Sequence, residues 1–364
     1  MKPARDVTLH WPGKTTPPTH GDPGGTHDQW TTPDGSALIQ GDNLAVLKSL
    51  ARQAPATATL AYLDPPFFTN QVHSKKDRTT GKERVAFDDR WADRAAYLEA
   101  LGARLSVLRE LLAPHGSIII HVDPKTSHYV KVMADEIFGD DAFASEIVWR
   151  YRRWPSRTPN FQRVHDVLLR YRKDPAVAPR WNPLYEPLAA STLATWGTNK
   201  QRAVFEEGGR RARSSSTSEP TVGAPMGDVW EIGVLAPVAR ERTGYPSQKP
   251  EALLERIVAA LSDPDDLVVD AYAGSGTTLA VASRLGRRFL GVDQSDVAIE
   301  TCLARLAEQG VTLTRRENGA RPVTNRGAPC AKPRTPLTVA RARGSRLKRA
   351  EPRQAPALVS SRLR

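Results

Sequence analysis

Apolar runs that end at an acidic residue recur along the chain, and they predict buried strands. Three such runs cover residues 58–63, 267–269 and 289–292, and the acids that follow them are Asp64, Asp270 and Asp293. Helical spacing of apolar residues over 93–112 and 127–138 predicts two amphipathic helices. Strands that alternate with helices predict an α/β fold around a mostly parallel sheet. In such folds ligands bind at the carboxyl ends of the strands, so the three acids mark a candidate site.

The most distinctive of these strand ends is the tetrapeptide Asp64-Pro65-Pro66-Phe67. Each proline fixes its own φ at about −65° and cannot continue a strand ladder, so a stiff turn is predicted. This turn holds a carboxylate, a backbone carbonyl and an aromatic ring close together. Such a group can accept hydrogen bonds from an amino group while the ring stacks on the base that carries it. A strand-ending turn with an acid on it is the plainer interpretation.

A glycine-rich turn follows the second acid, in the run Asp270-Ala271-Tyr272-Ala273-Gly274-Ser275-Gly276-Thr277. Its glycines allow a tight turn and a close approach of a ligand, and the predicted helix after it offers unpaired N–H groups. Leu279 stands where the dinucleotide fingerprint needs a small residue, and the Walker A lysine is missing from the motif. Asp293, about twenty residues further on, suits ribose hydroxyls. Together these features favour a nucleoside ligand without a pyrophosphate.

With these motifs the chain resembles the amino-group DNA methyltransferases, the N6-adenine and N4-cytosine enzymes that use S-adenosylmethionine. The resemblance covers residues 36–308 and also rests on segments 39–43, 165–171 and 245–250. The catalytic motif precedes the cofactor motif, which matches the circularly permuted β group. The resemblance implies an α/β, three-layer, Rossmann-like methyltransferase fold with a central, mostly parallel sheet and an inserted target-recognition region.

The resemblance also implies roles for single residues. The catalytic residues would be Asp64, Pro65, Pro66 and Phe67. The S-adenosylmethionine-binding residues would be Asp42, Lys249, Asp270, Tyr272, Ala273, Gly274, Ser275, Gly276, Thr277 and Asp293. Tyr272 stands where the family usually has Phe, so an aromatic ring is kept.

The chemistry of such a site follows from the target amine. An exocyclic amine on adenine or cytosine is a poor nucleophile, because its lone pair is delocalised into the ring. Hydrogen bonds to Asp64 and to the Pro65 carbonyl would localise that pair and stabilise the charge that develops on nitrogen. Phe67 would stack on the flipped base. C5-cytosine methylation needs a positioned cysteine, and Pro329-Cys330 lies in a stretch without a strand pattern.

N6 of adenine is the predicted target, because N4-cytosine enzymes of the family more often have Ser at the position of Asp64. N4-cytosine methylation remains an alternative, as does methylation of RNA or of a protein amide. A catalytically dead DNA-binding protein is an alternative of another class, and intact Asp64, Gly274 and Gly276 argue against it. The expected partner is double-stranded DNA, while a separately encoded restriction endonuclease and a homodimer partner remain open.

Motif order and composition divide the chain into five predicted segments. They are a flexible N-terminal arm (1–35), the catalytic half (36–148), the late catalytic strands with the target-recognition region (149–244), the cofactor-binding half (245–312) and a disordered basic tail (313–364). The stretch 315–364 contains 14 Lys and Arg but two Glu, which accounts for the whole net charge of +12. The tail is predicted either to bind phosphates nonspecifically or only to solubilise the chain.

Basic residues near the predicted catalytic edge are candidates for contact with DNA. They are Arg150, Arg152, Arg153, Arg157, Lys75 and Lys76. The four arginines lie among aromatic residues and can bind phosphates or guanine edges. A solvated strand edge whose aromatics pack inward is the plainer interpretation of that segment. The two lysines belong to a basic stretch over 68–91 that is predicted to be a mobile loop above the catalytic pocket.

The histidines, the cysteines and the lengths of the apolar runs bear on metal sites, disulfides and membrane spans. His121 and His128 are predicted to be ordinary strand-end and helix-surface residues. The two cysteines support neither a disulfide framework nor a zinc site, and no metal site is predicted. No apolar run reaches the ~18 residues of a membrane span, and no signal peptide opens the sequence. A cytoplasmic location is therefore expected.

Overall fold

The computed structural model describes most of the chain between residues 8 and 316. The described ranges are 8–14, 27–76, 81–155, 157, 159–202, 204–210 and 215–316. They fall into two compact units, one within Met1–Leu184 and Pro225–Arg334 and the other within Tyr185–Ala224.

Strands and helices alternate along the described residues. The strands are β1 (Asp28–Thr31), β2 (Ala37–Gln40), β3 (Ala58–Leu63), β4 (Val72–Lys76), β5 (Glu83–Asp88), β6 (Leu112–Val122), β7 (Phe143–Arg150), β8 (His165–Arg172), β9 (Tyr185–Glu186), β10 (Asn199–Arg202), β11 (Ser215–Pro220), β12 (Ala224–Pro225), β13 (Val229–Glu231), β14 (Leu267–Asp270), β15 (Arg288–Asp293) and β16 (Thr314–Arg316). The helices are α1 (Asn43–Gln53), α2 (Arg94–Leu111), α3 (Ser127–Phe138), α4 (Ala190–Trp196), α5 (Glu251–Leu261), α6 (Thr277–Arg284) and α7 (Asp296–Glu308), with a 3₁₀ turn at Asp140–Ala142.

One large sheet runs through the first unit in the order β13-β7-β8-β6-β3-β14-β15-β2-β1-β16. Its middle, from β6 to β2, pairs in parallel. Antiparallel pairing begins on either side, at β8 and at β1. The expected mostly parallel central sheet is therefore confirmed. Among the described residues, none of the helices is both long and apolar enough to cross a membrane.

Both faces of the sheet are buried, which explains the unbroken apolar runs of the central strands. Successive side chains of a strand point to opposite faces. In β3, Ala61 and Leu63 join a core formed with α1, α2 and α3, whereas Leu60 and Tyr62 join a core formed with α5, α6 and α7. All six residues of β3 are buried. Helices cover both faces, so the predicted three-layer fold is confirmed.

Two aspartates begin the first helices. The Asp42 carboxylate accepts a hydrogen bond from the Ala45 N–H at 2.9 Å, and the Asp93 carboxylate accepts one from the Ala96 N–H at 2.8 Å. Each cap satisfies an N–H group that the first helical turn leaves without a partner. The helix predicted over 93–112 is accordingly observed as α2.

The segments predicted to be a flexible arm (1–35) and a disordered tail (313–364) both include residues that form strands. Strand β1 lies within the predicted arm, and it pairs with both β2 and β16. Near the start of the arm, the Trp11 indole donates a hydrogen bond to Glu99 of α2 at 3.0 Å. Strand β1 is short and polar, so its sequence shows no apolar alternation. Residues 1–7, 15–26 and 317–364 of these segments lie outside the described residues.

The predicted mobile loop contains an antiparallel hairpin, β4 with β5, whose residues 77–80 lie outside the described residues. The hairpin packs against α7, where Lys75 Nζ donates a hydrogen bond to Thr301 Oγ1 at 2.8 Å. The Phe87 ring also stacks on Tyr245 at 6.4 Å between centroids. Of the residues in β4 and β5, Ala86 is the buried one, so the sequence carried little apolar signal for this element.

The second unit is described by itself as helix α4 and the antiparallel hairpin of β10 with β11. It lies within the predicted target-recognition region. No residue of α4 is buried, and the described residues around it are mostly exposed.

Close packing of α6 on β15 gives a first prediction. A Cβ atom at Gly291 would meet Leu279 Cδ2 at 2.5 Å, and Leu279 is fully buried. We expect Gly291→Ala to lower the free energy of unfolding by about 1–3 kcal/mol, because the core is overpacked. Gly233→Ala is the matched control, since a Cβ there meets nothing within 4 Å. Urea denaturation measures both variants, and an equal effect of the two would contradict this packing.

Candidate active site

A cleft at the carboxyl ends of β3, β14 and β15 is lined by residues of both sequence motifs. Of the predicted site residues, its lining contains Asp64, Pro65, Pro66, Phe67, Lys249, Asp270, Tyr272, Ala273, Gly274, Ser275, Thr277 and Asp293. Strands β3 and β14 are parallel neighbours, and Tyr62 is the register partner of Asp270. This pairing brings the two motifs to one edge of the sheet although more than 200 residues separate them.

Asp64 lies between two basic side chains. Its Oδ2 accepts a hydrogen bond from Lys249 Nζ at 2.6 Å, and its Oδ1 lies 3.8 Å from His121 Nδ1. Lys249 Nζ is also 4.9 Å from the centroid of the Phe67 ring. Lys249 is buried, so its charge acts on Asp64 with little screening by water. The sequence did not predict this contact of the lysine with the catalytic motif.

His121 lies near the end of β6, as predicted, and is buried beneath the turn that holds Asp64 and Phe67. Its exposed fraction is 0%, and its Nδ1 lies 2.8 Å from the Tyr62 hydroxyl. Its Nε2 lies 3.4 Å from Asp166 Oδ2, and its ring centroid is 5.4 Å from that of Phe67. A histidine inside an otherwise apolar strand was the available sequence signal. Its partner Asp166 comes from β8, which only the fold brings alongside.

The glycine turn has two distinct parts. Gly274 and Gly276 adopt φ values of 49° and 71°, in the region that favours glycine. Gly274 lines the cleft. Gly276 precedes α6, and a Cβ atom there would meet Cys302 Sγ at 3.0 Å. Gly276 therefore lets the turn pack on α7, whereas Gly274 leaves room beside the cleft.

Asp293 ties β15 to the glycine turn. Its Oδ2 accepts a hydrogen bond from the Gly274 N–H at 2.9 Å, and its Oδ1 accepts one from the Ser295 N–H at 2.9 Å. Burial raises the pKa of the Asp293 carboxyl, and these backbone hydrogen bonds oppose that shift. The carboxylate thus lies at the cleft wall, where the sequence predicted it.

The structure does not place Asp42 in the lining of the cleft. Its carboxylate begins α1 and lies 3.3 Å from Arg104 Nη2. The neighbours Gly41 and Asn43 line the cleft instead, and Asn43 Nδ2 donates a hydrogen bond to the Ala271 carbonyl at 2.7 Å. The strand-end acid was recognisable from sequence, but its use as a helix cap was not.

The basic segment after β7 divides into a packed part and an exposed part. Trp149 and Tyr151 are buried, and the Arg150 guanidinium pairs with Glu231. For these residues the plainer interpretation, with aromatics packed inward, is correct. Beyond them the Trp154 side chain is 92% exposed. The exposed cations of this segment are Arg152, Arg153 and Arg157.

Comparison with known proteins identifies the family. The model of the N6_N4_Mtase family, described as DNA methylase, matches residues 58–304. The chain belongs to this family of DNA methylases. Membership confirms the expected amino-group DNA methyltransferase, with S-adenosylmethionine as its methyl donor.

The alignments with related proteins cover most of the chain. Type II methyltransferase M.EcaI of Enterobacter cloacae is 29% identical over 75% of this chain and 69% of its own. DNA adenine methyltransferase YhdJ of Escherichia coli (strain K12) is 26% identical over 79% of this chain and 90% of its own. Among solved structures, PvuII DNA methyltransferase (cytosine-N4-specific) has a TM-score of 0.50 at 16% identity, covering 78% of this chain and 91% of that chain. The last comparison supports the fold.

The buried Asp270 carboxyl gives a second prediction. Burial raises its pKa to about 7 from 3.8. The folded protein therefore binds more protons than the unfolded chain between these values, so stability falls as pH rises through about 7. We expect the parent to lose stability relative to Asp270→Asn between about pH 4 and 7, by up to ~1.4 kcal/mol per pH unit, and the difference to level off at higher pH.

Urea denaturation of the cofactor-free protein across this pH range measures the effect. Asp228→Asn replaces an exposed acid and is the control, which should follow the parent. Parallel curves for the parent and Asp270→Asn would show that burial does not keep the Asp270 carboxyl protonated.

Proposed function

We propose that the protein transfers a methyl group from S-adenosylmethionine to N6 of adenine in double-stranded DNA. The observation that carries this proposal is that Asp64 and Phe67 line the same cleft as Gly274 and Asp293. The first pair suits a flipped base and its amine, and the second pair suits a nucleoside. A single cleft can therefore hold both reactants side by side, which lowers the barrier to a bimolecular reaction.

The cleft fits the nucleoside part of the methyl donor. A Cβ atom at Gly274 would lie 3.3 Å from Tyr245 Cε1, so a larger residue would crowd this wall. Asp293 would accept hydrogen bonds from the ribose hydroxyls. Asp270 is a buried acid at the same wall, and a nearby cation would favour its charged form. When bound, S-adenosylmethionine supplies a positively charged sulfonium that carries the reactive methyl group.

Asp64 is the proposed acceptor for the target amine. The amine would donate hydrogen bonds to the Asp64 carboxylate and to the Pro65 carbonyl, which localises its lone pair on nitrogen. The Lys249 ammonium lies 2.6 Å from the carboxylate and orients it, so the acceptor needs little reorganisation during the reaction. Phe67 would stack on the base once it has left the duplex.

Adenine is the proposed base because the motif begins with Asp64. A carboxylate offers the amine a charged acceptor, and N4-cytosine enzymes of the family more often have Ser at this position. The relative YhdJ is named a DNA adenine methyltransferase, which agrees with this choice. N4 of cytosine is the second candidate, since its amine has the same geometry.

Replacement of Asp64 tests the proposal. We expect Asp64→Ala to reduce the methylation rate by about 10²–10³-fold, because the acceptor for the amine is lost. Modification-sensitive sequencing of DNA from cells that express the parent should report N6-methyladenine in one sequence context. The Asp64→Ala variant should lose that signal, and calorimetry should still detect its binding of S-adenosylmethionine.

Two further variants distinguish a loss of cofactor binding from a loss of methyl transfer. Asp293→Ala should lose cofactor binding in the same calorimetry, whereas Asp140→Ala replaces an exposed acid and should behave as the parent. Persistent methylation by Asp64→Ala would overturn the catalytic assignment. Detection of N4-methylcytosine would overturn adenine as the target.

The exposed arginines after β7 are proposed to contact DNA phosphates. Strand β7 pairs with β8, whose first residues lie beside His121 under the catalytic turn. Arg152 and Arg157 therefore belong to a loop at the catalytic edge of the sheet. The surrounding region, residues 149–244, stays the proposed target-recognition region.

Salt dependence of DNA binding tests these contacts. We expect the double variant Arg152→Gln, Arg157→Gln to bind duplex DNA more weakly. The slope of log K against log salt should fall by about 0.9 for each lost phosphate contact. Arg150→Gln is the matched control, because the Arg150 guanidinium already pairs with Glu231. Fluorescence anisotropy measures both, and identical slopes would exclude these arginines from the interface.

A further inference from the structure

Methylation of an amino group leaves a proton that has to leave the site. The lone pair of the amine nitrogen forms the new N–C bond, and the pair of the breaking C–S bond goes to sulfur. The methylated nitrogen then loses one proton. Asp64 is the acceptor in reach under the proposed function, but its Oδ2 already faces the Lys249 ammonium at 2.6 Å. A second base beyond Asp64 would keep the carboxylate charged for the next turnover.

A chain of polar groups leads from Asp64 away from the cleft. His121 Nδ1 lies 3.8 Å from Asp64 Oδ1, and His121 Nε2 lies 3.4 Å from Asp166 Oδ2. The Tyr151 hydroxyl donates a hydrogen bond to Asp166 Oδ1 at 2.9 Å. Arg153, which is exposed, lies 3.3 Å from the same hydroxyl. The Tyr151 hydroxyl and the Arg153 guanidinium both donate, so they orient the Asp166 carboxylate, whose 12% exposed side chain can release a proton to water.

We propose that His121 takes the reaction's proton from Asp64 and passes it to Asp166. This inference rests on the proposed function, and it makes His121 a positioning residue that acts through Asp64. Nδ1 already lies 2.8 Å from the Tyr62 hydroxyl, so the transfer requires this hydroxyl to turn its proton away and Asp64 Oδ1 to approach by about 1 Å. Catalytic hydrogen bonds are often long before the reactants bind, so the 3.8 Å separation agrees with this role.

Burial of the His121 imidazole costs more free energy than burial of an apolar side chain at the same position. Its strand neighbours Ile119, Ile120 and Val122 are fully buried and apolar. Burial takes both ring nitrogens out of water, which costs free energy even where they keep polar neighbours such as Asp166 Oδ2 at 3.4 Å. An apolar residue would avoid that cost, so proton transfer gives a physical reason for the imidazole.

Carboxylates lie on two sides of the ring, Asp64 near Nδ1 and Asp166 near Nε2. The titratable groups that face His121, directly or through one neighbour, are Tyr62 and Asp64 at β3, Asp166 at β8, Tyr151 after β7 and Lys249 before α5. Of these, Lys249 alone is cationic, and it pairs with Asp64. The ring must be neutral to accept a proton, so the methylation rate should fall at low pH where His121 is already protonated.

Single-turnover methylation across about pH 5 to 9 tests the inference, with DNA and S-adenosylmethionine saturating. We expect His121→Asn to lower the methylation rate constant by about 10²-fold, the low end for a proton-transfer group. The variant should also lose the acid limb of the pH profile, which is the fall of the rate constant at low pH. The dissociation constants for DNA and cofactor should stay unchanged. His128→Asn is the matched control, because His128 is exposed on α3.

A second variant keeps the test decisive if His121→Asn does not fold. Asp166→Asn removes one anion beside the ring, so the acid limb should move to lower pH and the rate should fall. If His121 has a purely structural role, the methylation rate of Asp166→Asn should fall at the same low pH as that of the parent. A fall at low pH that persists unchanged in His121→Asn would also overturn the inference. The product base is identified separately by mass spectrometry, so a methylated cytosine would overturn only the proposed target.

Discussion

The parallel pairing of β3 with β14 is the contact on which the active site depends. Ala61 faces Val269 and Tyr62 faces Asp270 in register, so both chains leave the sheet at the same edge. A slip of one residue would turn every side chain of β3 to the other face. Both faces carry a buried core, and burial on two sides therefore fixes the register. The turn at Asp64-Pro65-Pro66-Phe67 and the glycine turn meet because this register holds.

Three carboxylates lie close together at one edge of the sheet, where burial disfavours their charged forms. The surrounding contacts differ for each of the three. Asp64 is paired with the Lys249 ammonium, and Asp293 accepts two backbone hydrogen bonds. Asp270 accepts a hydrogen bond from the Tyr272 N–H at 3.0 Å, yet burial still raises the pKa of its carboxyl to about 7. A cationic ligand would relieve this cost, which is a physical reason for such a site to bind a sulfonium.

Local sequence patterns predicted the elements with strong apolar character and the turns at their ends. The run before Asp64 and the glycines after Asp270 were both recognisable, because two buried faces and positive φ values restrict the residue types allowed. Strand β1 and the hairpin of β4 and β5 were missed. Their side chains are mostly polar, and they are held by pairing and by contacts with distant residues such as Thr301. Asp42 was recognisable as a strand-end acid but not as a helix cap, since the two look alike in sequence.

The sequence by itself determined the apolar strands of the central sheet, the chemistry at their ends and the family of the protein. Each of these depends on neighbouring residues, which a local pattern records. Only the tertiary structure decided which side chains surround Asp64. Lys249 lies 185 positions away in sequence, and His121 and Asp166 come from two further strands. Contacts of this kind depend on the register and order of strands in the sheet, and a hydrophobic pattern contains no record of either.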